Sequence, residues 1–379
     1  MQALVLSGGG AFGAYELGVL KALYEKGKVE TAGVVTGTSV GAFNASILAM
    51  AGGGAEAFER LEDIWRHRIA EVTPGAGNGV LRIGVGLPSL SPLELAARPV
   101  QTAAELLRES VSLARIGLDR GAAFLAAGGG LGERFTELLD ISAFISVEPL
   151  RQTVSTEVSF EEIRGSAVKL RIVATDWEKG GYRVFGNAEA SADAILASTA
   201  IPGVFRPVLF DSTTWVDGGV TMNTPLKPAI AAGADIIHVV SLDSSLHPLP
   251  VTELDNTVEA MMRTVAIMIS TAIREDMATA DWINRGIAVL RRAAAGGEVG
   301  NEGLREFIRV AAQLRERLEA GDAPRPLGVH HYHPREARGS LRGLLDFSRA
   351  AIERLIAAGY ADALAHDCVQ SGCVVAAKE

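Results

Sequence analysis

Val34-Val35-Thr36-Gly37-Thr38-Ser39-Val40-Gly41-Ala42 reads as an apolar strand that stops at Gly37-x-Ser39-x-Gly41, with an apolar helix starting at once. A strand that turns into a helix this sharply is a nucleophile elbow: only Gly fits on either side of the Ser, whose hydroxyl is left exposed at the strand tip. The first N–H groups of the new helix face the same point, and the helix dipole favours negative charge there. Chemistry on an acyl ester is the natural use of such a turn.

A Gly-x-Ser-x-Gly pattern is short and needs partners. The first lies upstream. Met1 to Leu6 reads as a short buried strand that breaks into Ser7-Gly8-Gly9-Gly10-Ala11-Phe12-Gly13, followed by helical Ala14 to Leu20. Consecutive glycines let bare N–H groups converge on one point, as an oxyanion hole requires. Gly8-x-Gly10-x-x-Gly13 also satisfies the dinucleotide fingerprint, but that fold needs Asp or Glu at the tip of the second strand, where this chain has Thr36-Gly37-Thr38-Ser39. The second partner is Asp217-Gly218-Gly219, which follows strand-like Thr213 to Val216 and precedes a helix running through Leu226, Ala229 and Ile230. Pro225 suits the first turn of that helix and Thr224 its N-cap. Taken alone, Asp before Gly is an ordinary turn.

In this order and combination the three motifs resemble the patatin-like phospholipase family. The likeness extends to Ala197-Ser198-Thr199-Ala200-Ile201-Pro202-Gly203 ahead of Asp217 and to a helical stretch from Asp346 to Ala363, covering about 1–65 and 140–366. The resemblance implies an α/β fold of three layers, α/β/α, with a mostly parallel central sheet. It implies Ser39 as nucleophile, Asp217 as its catalytic partner and the N–H groups of Gly8, Gly9 and Gly10 as oxyanion donors, with Gly13, Gly37, Gly41, Gly218 and Gly219 supporting the motifs. A Ser hydroxyl is a poor nucleophile without a base in hydrogen-bond reach, and a carboxylate in a partly dry pocket can be that base. No His, metal or organic cofactor is required. The implied activity is a serine lipid acyl hydrolase of phospholipase A or lysophospholipase type. Acyl transfer by the same dyad and non-catalytic lipid binding are the alternatives. The family has Arg where this chain has Phe12, and Phe cannot meet a phosphate. Phe12 is expected to pack on the following helix or to line the acyl pocket.

The 36 Lys and Arg stand against 45 Asp and Glu, a net charge of -9 that disfavours nucleic acid as a partner. The expected partner is a lipid or acyl-ester substrate, with peripheral membrane contact. The sequence sets no oligomeric state. The N-terminus lacks the basic region of a signal peptide, so a cytoplasmic enzyme, peripheral at the inner membrane surface, is expected. Only Cys368 and Cys373 occur, so no disulfide framework is implied. His331 and His333 alternate on one strand face, but no Glu or Cys lies at useful spacing nearby, so no metal site is expected. His67, His238, His247 and His366 read as isolated structural residues.

Thr31 to Ala55 is uncharged yet interrupted by Gly, Ser, Thr and Asn, and reads as a buried strand plus a buried helix rather than a membrane span. Strand signals at Leu170–Ala174, Tyr182–Phe185 and Ile236–Leu242 alternate with helical patterns at Phe43–Arg68, Ala190–Ser198 and Pro225–Ala232, which implies a mostly parallel sheet covered on both faces. Val258 to Leu290 reads as one or two further helices with core methionines. Residues 1–366 are expected to form one catalytic domain, with 73–140 a helical cap or lid-like insertion and 367–379 a C-terminal tail.

Overall fold

A computed structural model describes residues 1–70, 78–83, 145–242, 284–287, 289, 300, 326–335 and 341–374. Most of the 73–140 insertion, nearly all of the Val258–Leu290 pattern, and His247 lie outside the described residues.

The chain opens with β1 (Gln2–Leu6), passes a single 3-10 turn at Gly10–Phe12 and continues as α1 (Gly13–Glu25). The elbow joins β2 (Val34–Thr38) to α2 (Val40–Met50), and α3 (Ala55–Ile64) runs into a π-helical turn, Trp65–Ile69. Two short strands, β3 (Arg82–Ile83) and β4 (Ile145–Ser146), pair with each other. Then come α4 (Glu148–Glu157), α5 (Phe160–Gly165), β5 (Lys169–Asp176), β6 (Tyr182–Phe185) and α6 (Ala192–Ser198). After these come β7 (Val208–Phe210), β8 (Thr213–Asp217), α7 (Leu226–Ala231), β9 (Ile236–Val240), β10 (Gly328–Tyr332) and α8 (Arg349–Leu364).

Eight strands form the main sheet, ordered β10-β9-β1-β2-β5-β8-β7 with β6 also paired to β5. The five strands from β10 to β5 are parallel, and β6 and β8 run antiparallel to β5. Parallel strands covered on both faces are apolar throughout rather than alternating. β2 accordingly is buried at all five positions and β9 at four of five. The pleat sends Leu4, Leu6 and Val35 into one core with α1, α2, α3 and α8, and Ala3, Val5 and Val34 into a second with α7, Ile237 and Val239. This is the expected three-layer α/β/α arrangement.

The helical pattern read across Phe43–Arg68 is two helices. The chain reverses through Gly52 and Gly53, both at positive φ (85° and 70°), so α3 folds back and buries Phe58, Leu61 and Ile64. The helix expected from Pro225 starts one residue later, because the Thr224 hydroxyl pairs with Ser7 Oγ at 2.8 Å instead of capping. α1 and α8 touch backbone to backbone: a Cβ on Gly18 would strike the Ile356 carbonyl, and one on Gly359 the Tyr15 carbonyl.

Candidate active site

Ser39 sits between β2 and α2 with φ 55° and ψ -126°, a left-handed conformation that costs a non-glycine residue about 1–3 kcal/mol. The surroundings that hold it are specific. Its N–H donates to Ser198 Oγ at 2.9 Å, and that hydroxyl donates to the Val173 carbonyl at 2.6 Å, so the end of α6 ties the elbow to β5. The flanking glycines are set by close approach: a Cβ on Gly37 would fall on the Gly41 carbonyl, and one on Gly41 on the carbonyls of Leu6 and Ser7. Backbone cannot rotate away as a side chain can. Gly41→Ala is therefore expected to destabilise the fold by about 3 kcal/mol or more, read as a lowered thermal midpoint. A melt matching that of the unsubstituted chain would contradict the packing.

Asp217 ends β8 beside Ser39. Its N–H bonds the Ala200 carbonyl at 2.9 Å, and its carbonyl accepts from Thr175 Oγ1 at 2.9 Å. Oδ1 accepts the Gly219 N–H at 2.7 Å. Oδ2 is buried and has no hydrogen-bond partner among the described residues, and the donor facing the carboxyl from the elbow is the Ser39 hydroxyl. Contacts of this kind are commonly long before a substrate is bound. Burial raises the Asp217 pKa to about 7, outweighing the opposing pull of the Ser39 hydroxyl and the Gly219 N–H. A carboxyl poised there can exchange a proton near neutral pH.

The glycine loop leaves β1 next to the elbow, and Gly8 approaches Ser39 so closely that a Cβ on it would lie 3.0 Å from Ser39 Cβ. Its N–H, however, bonds the Asn223 carbonyl at 3.2 Å. The Gly8 N–H is therefore engaged within the fold, and Gly8 forms part of the wall beside Ser39. Gly9 is walled by Leu242 and Gly10 by Leu344, while Gly13 packs on Val40 and Gly218 on Val173 and Thr38. Phe12 does not line the cleft; its ring meets Gly343 in the turn Leu341–Leu345.

Polar residues that the sequence reading passed over hold the three loops together. Asn223 Nδ2 reaches the Gly8 carbonyl at 3.3 Å, Thr38 Oγ1 the Met222 carbonyl at 2.8 Å and Thr36 Oγ1 the Pro225 carbonyl at 2.9 Å. Ser198 and Asn223 each have polar neighbours in sequence, so what marks them is their burial in the fold, where a polar side chain needs a partner.

Ser39 opens onto an apolar cleft lined by Phe43, Ile69, Leu150, Ile201, Phe205 and Phe347, with Thr199 the other polar side chain on its wall among the described residues. Such a lining suits a hydrocarbon chain, with the ester placed at the polar end.

The chain matches the family model for patatin-like phospholipase over residues 4–230. It is 26% identical to an uncharacterized NTE family protein of Mycobacterium bovis over 378 residues, covering 98% of this chain and 84% of that protein, and equally similar to one from Mycobacterium tuberculosis. Among solved structures it is similar to VipD from Legionella pneumophila, with TM-score 0.40 and 15% identity, covering 96% of this chain and 66% of that one.

Proposed function

The chain belongs to the patatin-like phospholipase family, and from that membership we propose that it is a serine lipid acyl hydrolase of phospholipase A or lysophospholipase type, working through a Ser39–Asp217 dyad. The observation that carries this reading is a strained serine at the mouth of an apolar cleft, beside a buried carboxyl raised to about 7.

Ser39 Oγ attacks the ester carbonyl carbon while Asp217 takes its proton. The N–H groups of Gly9 and Gly10 and the N-terminus of α2 stabilise the oxyanion. As the tetrahedral intermediate collapses, Asp217 returns the proton to the leaving alcohol. Water then attacks the acyl-serine while Asp217 accepts its proton; as the second tetrahedral intermediate collapses Asp217 passes that proton to Ser39 Oγ, and the fatty acid departs with Ser39 restored.

Lipid reaches the site from a membrane surface in this reading. Trp177 follows β5, which runs parallel to β2, so it lies at the same end of the sheet as Ser39, and it is 56% exposed. Among the described residues no helix is long and apolar enough to cross a membrane. The inner surface of the cytoplasmic membrane is the proposed place of action.

The test is release of nitrophenol from esters of graded acyl length, with and without phospholipid vesicles. Each methylene taken into the cleft is worth about 0.8 kcal/mol, so kcat/KM is expected to rise roughly 100-fold from butyrate to octanoate. A flat profile would count against the cleft as the acyl site. No turnover under any of these conditions, with lipid still bound, would favour the lipid-binding alternative. Diversion of the acyl group to an added alcohol at the expense of water would favour acyl transfer.

A further inference from the structure

Four side chains from three places in the sequence converge at the edge of the sheet, away from the cleft. His330 stands on β10, His366 follows the end of α8, and Cys368 and Cys373 flank the turn after it. One nitrogen or sulfur from each lies within 4.8 Å of all the others. Cys368 Sγ is 3.5 Å from His330 Nδ1 and 3.6 Å from His366 Nε2, and Cys373 Sγ is 3.4 Å from His366 Nε2. A tetrahedral zinc centre with Zn–N of about 2.0–2.1 Å and Zn–S of about 2.3 Å has N···S edges of about 3.5 Å. All three distances match that edge. His366 Nε2 faces both sulfurs at once, as an atom at one corner of a metal tetrahedron does.

The surroundings are those that orient ligands. His366 Nδ1 meets Ser371 Oγ at 3.3 Å, which fixes the ring with Nε2 turned inward. The backbone N–H of His331 donates to Cys373 Sγ at 3.2 Å. Asp367 accepts the N–H groups of Val369 and Gln370, both at 2.9 Å, and Cys373 N–H closes on the Cys368 carbonyl at 2.9 Å. The His330 ring stacks on His238 at 5.2 Å, and Tyr332 covers His366 at 4.3 Å. In sequence His366 is isolated, and His331 and His333 are the pair that alternate on one strand face. The imidazoles that meet the sulfurs are those of His330 and His366.

We propose that His330, His366, Cys368 and Cys373 bind one zinc ion in a closed Cys2His2 site that clips the C-terminal turn to the edge of the sheet. Two sulfurs and two imidazoles select zinc over the hard cations calcium and magnesium, and four protein ligands leave no position open for a substrate, which makes the site structural. Binding replaces the two thiol protons and involves no redox step. The clip acts on an edge strand, where Val329 already exchanges backbone hydrogen bonds with Val374 at 2.7 and 2.9 Å. Unprotected edges invite pairing with other chains, and the turn covers this one. β10 is three strands from β2, on the order of 14 Å across the sheet, so the ion serves stability and is independent of the chemistry proposed at Ser39.

The test is titration of the reduced, chelator-treated full-length chain with Co2+, followed by displacement with Zn2+. One equivalent of cobalt is expected to give the intense visible bands of a tetrahedral ion together with thiolate charge-transfer absorption, both abolished by one equivalent of zinc. Zinc is expected to raise the thermal midpoint, and the Cys368→Ser/Cys373→Ser chain to bind at least about 100-fold more weakly. His331→Ala, which leaves all four ligands in place, is expected to keep the cobalt spectrum. Octahedral, non-stoichiometric cobalt binding would overturn the site, as would equal affinity in the double variant or a Cys368–Cys373 disulfide in chain prepared under reducing conditions. If the double variant does not fold, the cobalt spectrum of the unsubstituted chain decides alone.

Discussion

Ser39→Ala is expected to lower ester turnover by at least about 10⁴-fold while leaving the fold in place. Removing the nucleophile of a serine hydrolase removes the covalent route, and what remains comes from the oxyanion donors and substrate binding. The fold survives because the elbow is held by backbone: the Ser39 N–H bonds Ser198 Oγ at 2.9 Å, and its carbonyl accepts the Ala42 N–H at 2.9 Å. The hydroxyl is buried and faces the Asp217 carboxyl, so a stability change of about 1 kcal/mol in either direction is expected, small beside the loss of turnover. Mass spectrometry after treatment with a fluorophosphonate should place the adduct on Ser39 in the unsubstituted chain and find none in the variant. An adduct on another residue, or turnover that survives the substitution, would remove Ser39 from the mechanism.

Asp217→Asn is expected to cost at least about 10³-fold in kcat/KM and, at the same time, to stabilise the chain above neutral pH. Both follow from the burial that raises Asp217 to about 7. A base must be ionised to accept a proton, so the wild-type rate should fall as pH drops below about 7. In the unfolded chain the same carboxyl titrates near its ordinary value of about 3.9. Between those two values the folded state holds the proton and the unfolded state does not, so unfolding free energy declines as pH rises through the window and stays reduced above it. Asn carries no charge and escapes that loss, which by linkage amounts to a few kcal/mol at most. Denaturation at pH 5 and pH 8 checks this: the advantage of the variant should be larger at pH 8. An equal difference at both values would show that Asp217 is not a buried carboxylate in this pH range.

Much of the frame was legible because parallel strands announce themselves as apolar runs ended by glycine. Gln2–Leu6 and Val34–Thr38 were readable to within a residue for that reason. The break at Gly52–Gly53 was hidden by apolar spacing that continues on both sides of it, from α2 into α3. The loop donors were harder, since Gly8 and Gly9 look alike in sequence; Asn223, 215 residues away, occupies the Gly8 N–H. The His–Cys cluster was invisible for a related reason. His330 and His366 are 36 positions apart, and the path of α8 back along the sheet is what sets them beside each other.

The contact between Gly18 and Gly359 has a bearing on where this protein can be cut. The family match ends at residue 230, yet the glycine loop near the N-terminus borrows its walls from later chain. Ser7 N–H bonds Val240, Gly9 rests on Leu242, and Gly10 rests on Leu344. α8 lies flush on α1, which rises directly from that loop. A fragment stopped at the boundary of the match would carry every catalytic motif and still lack the scaffolding around one of them, so recombinant boundaries drawn from motif positions should extend beyond α8.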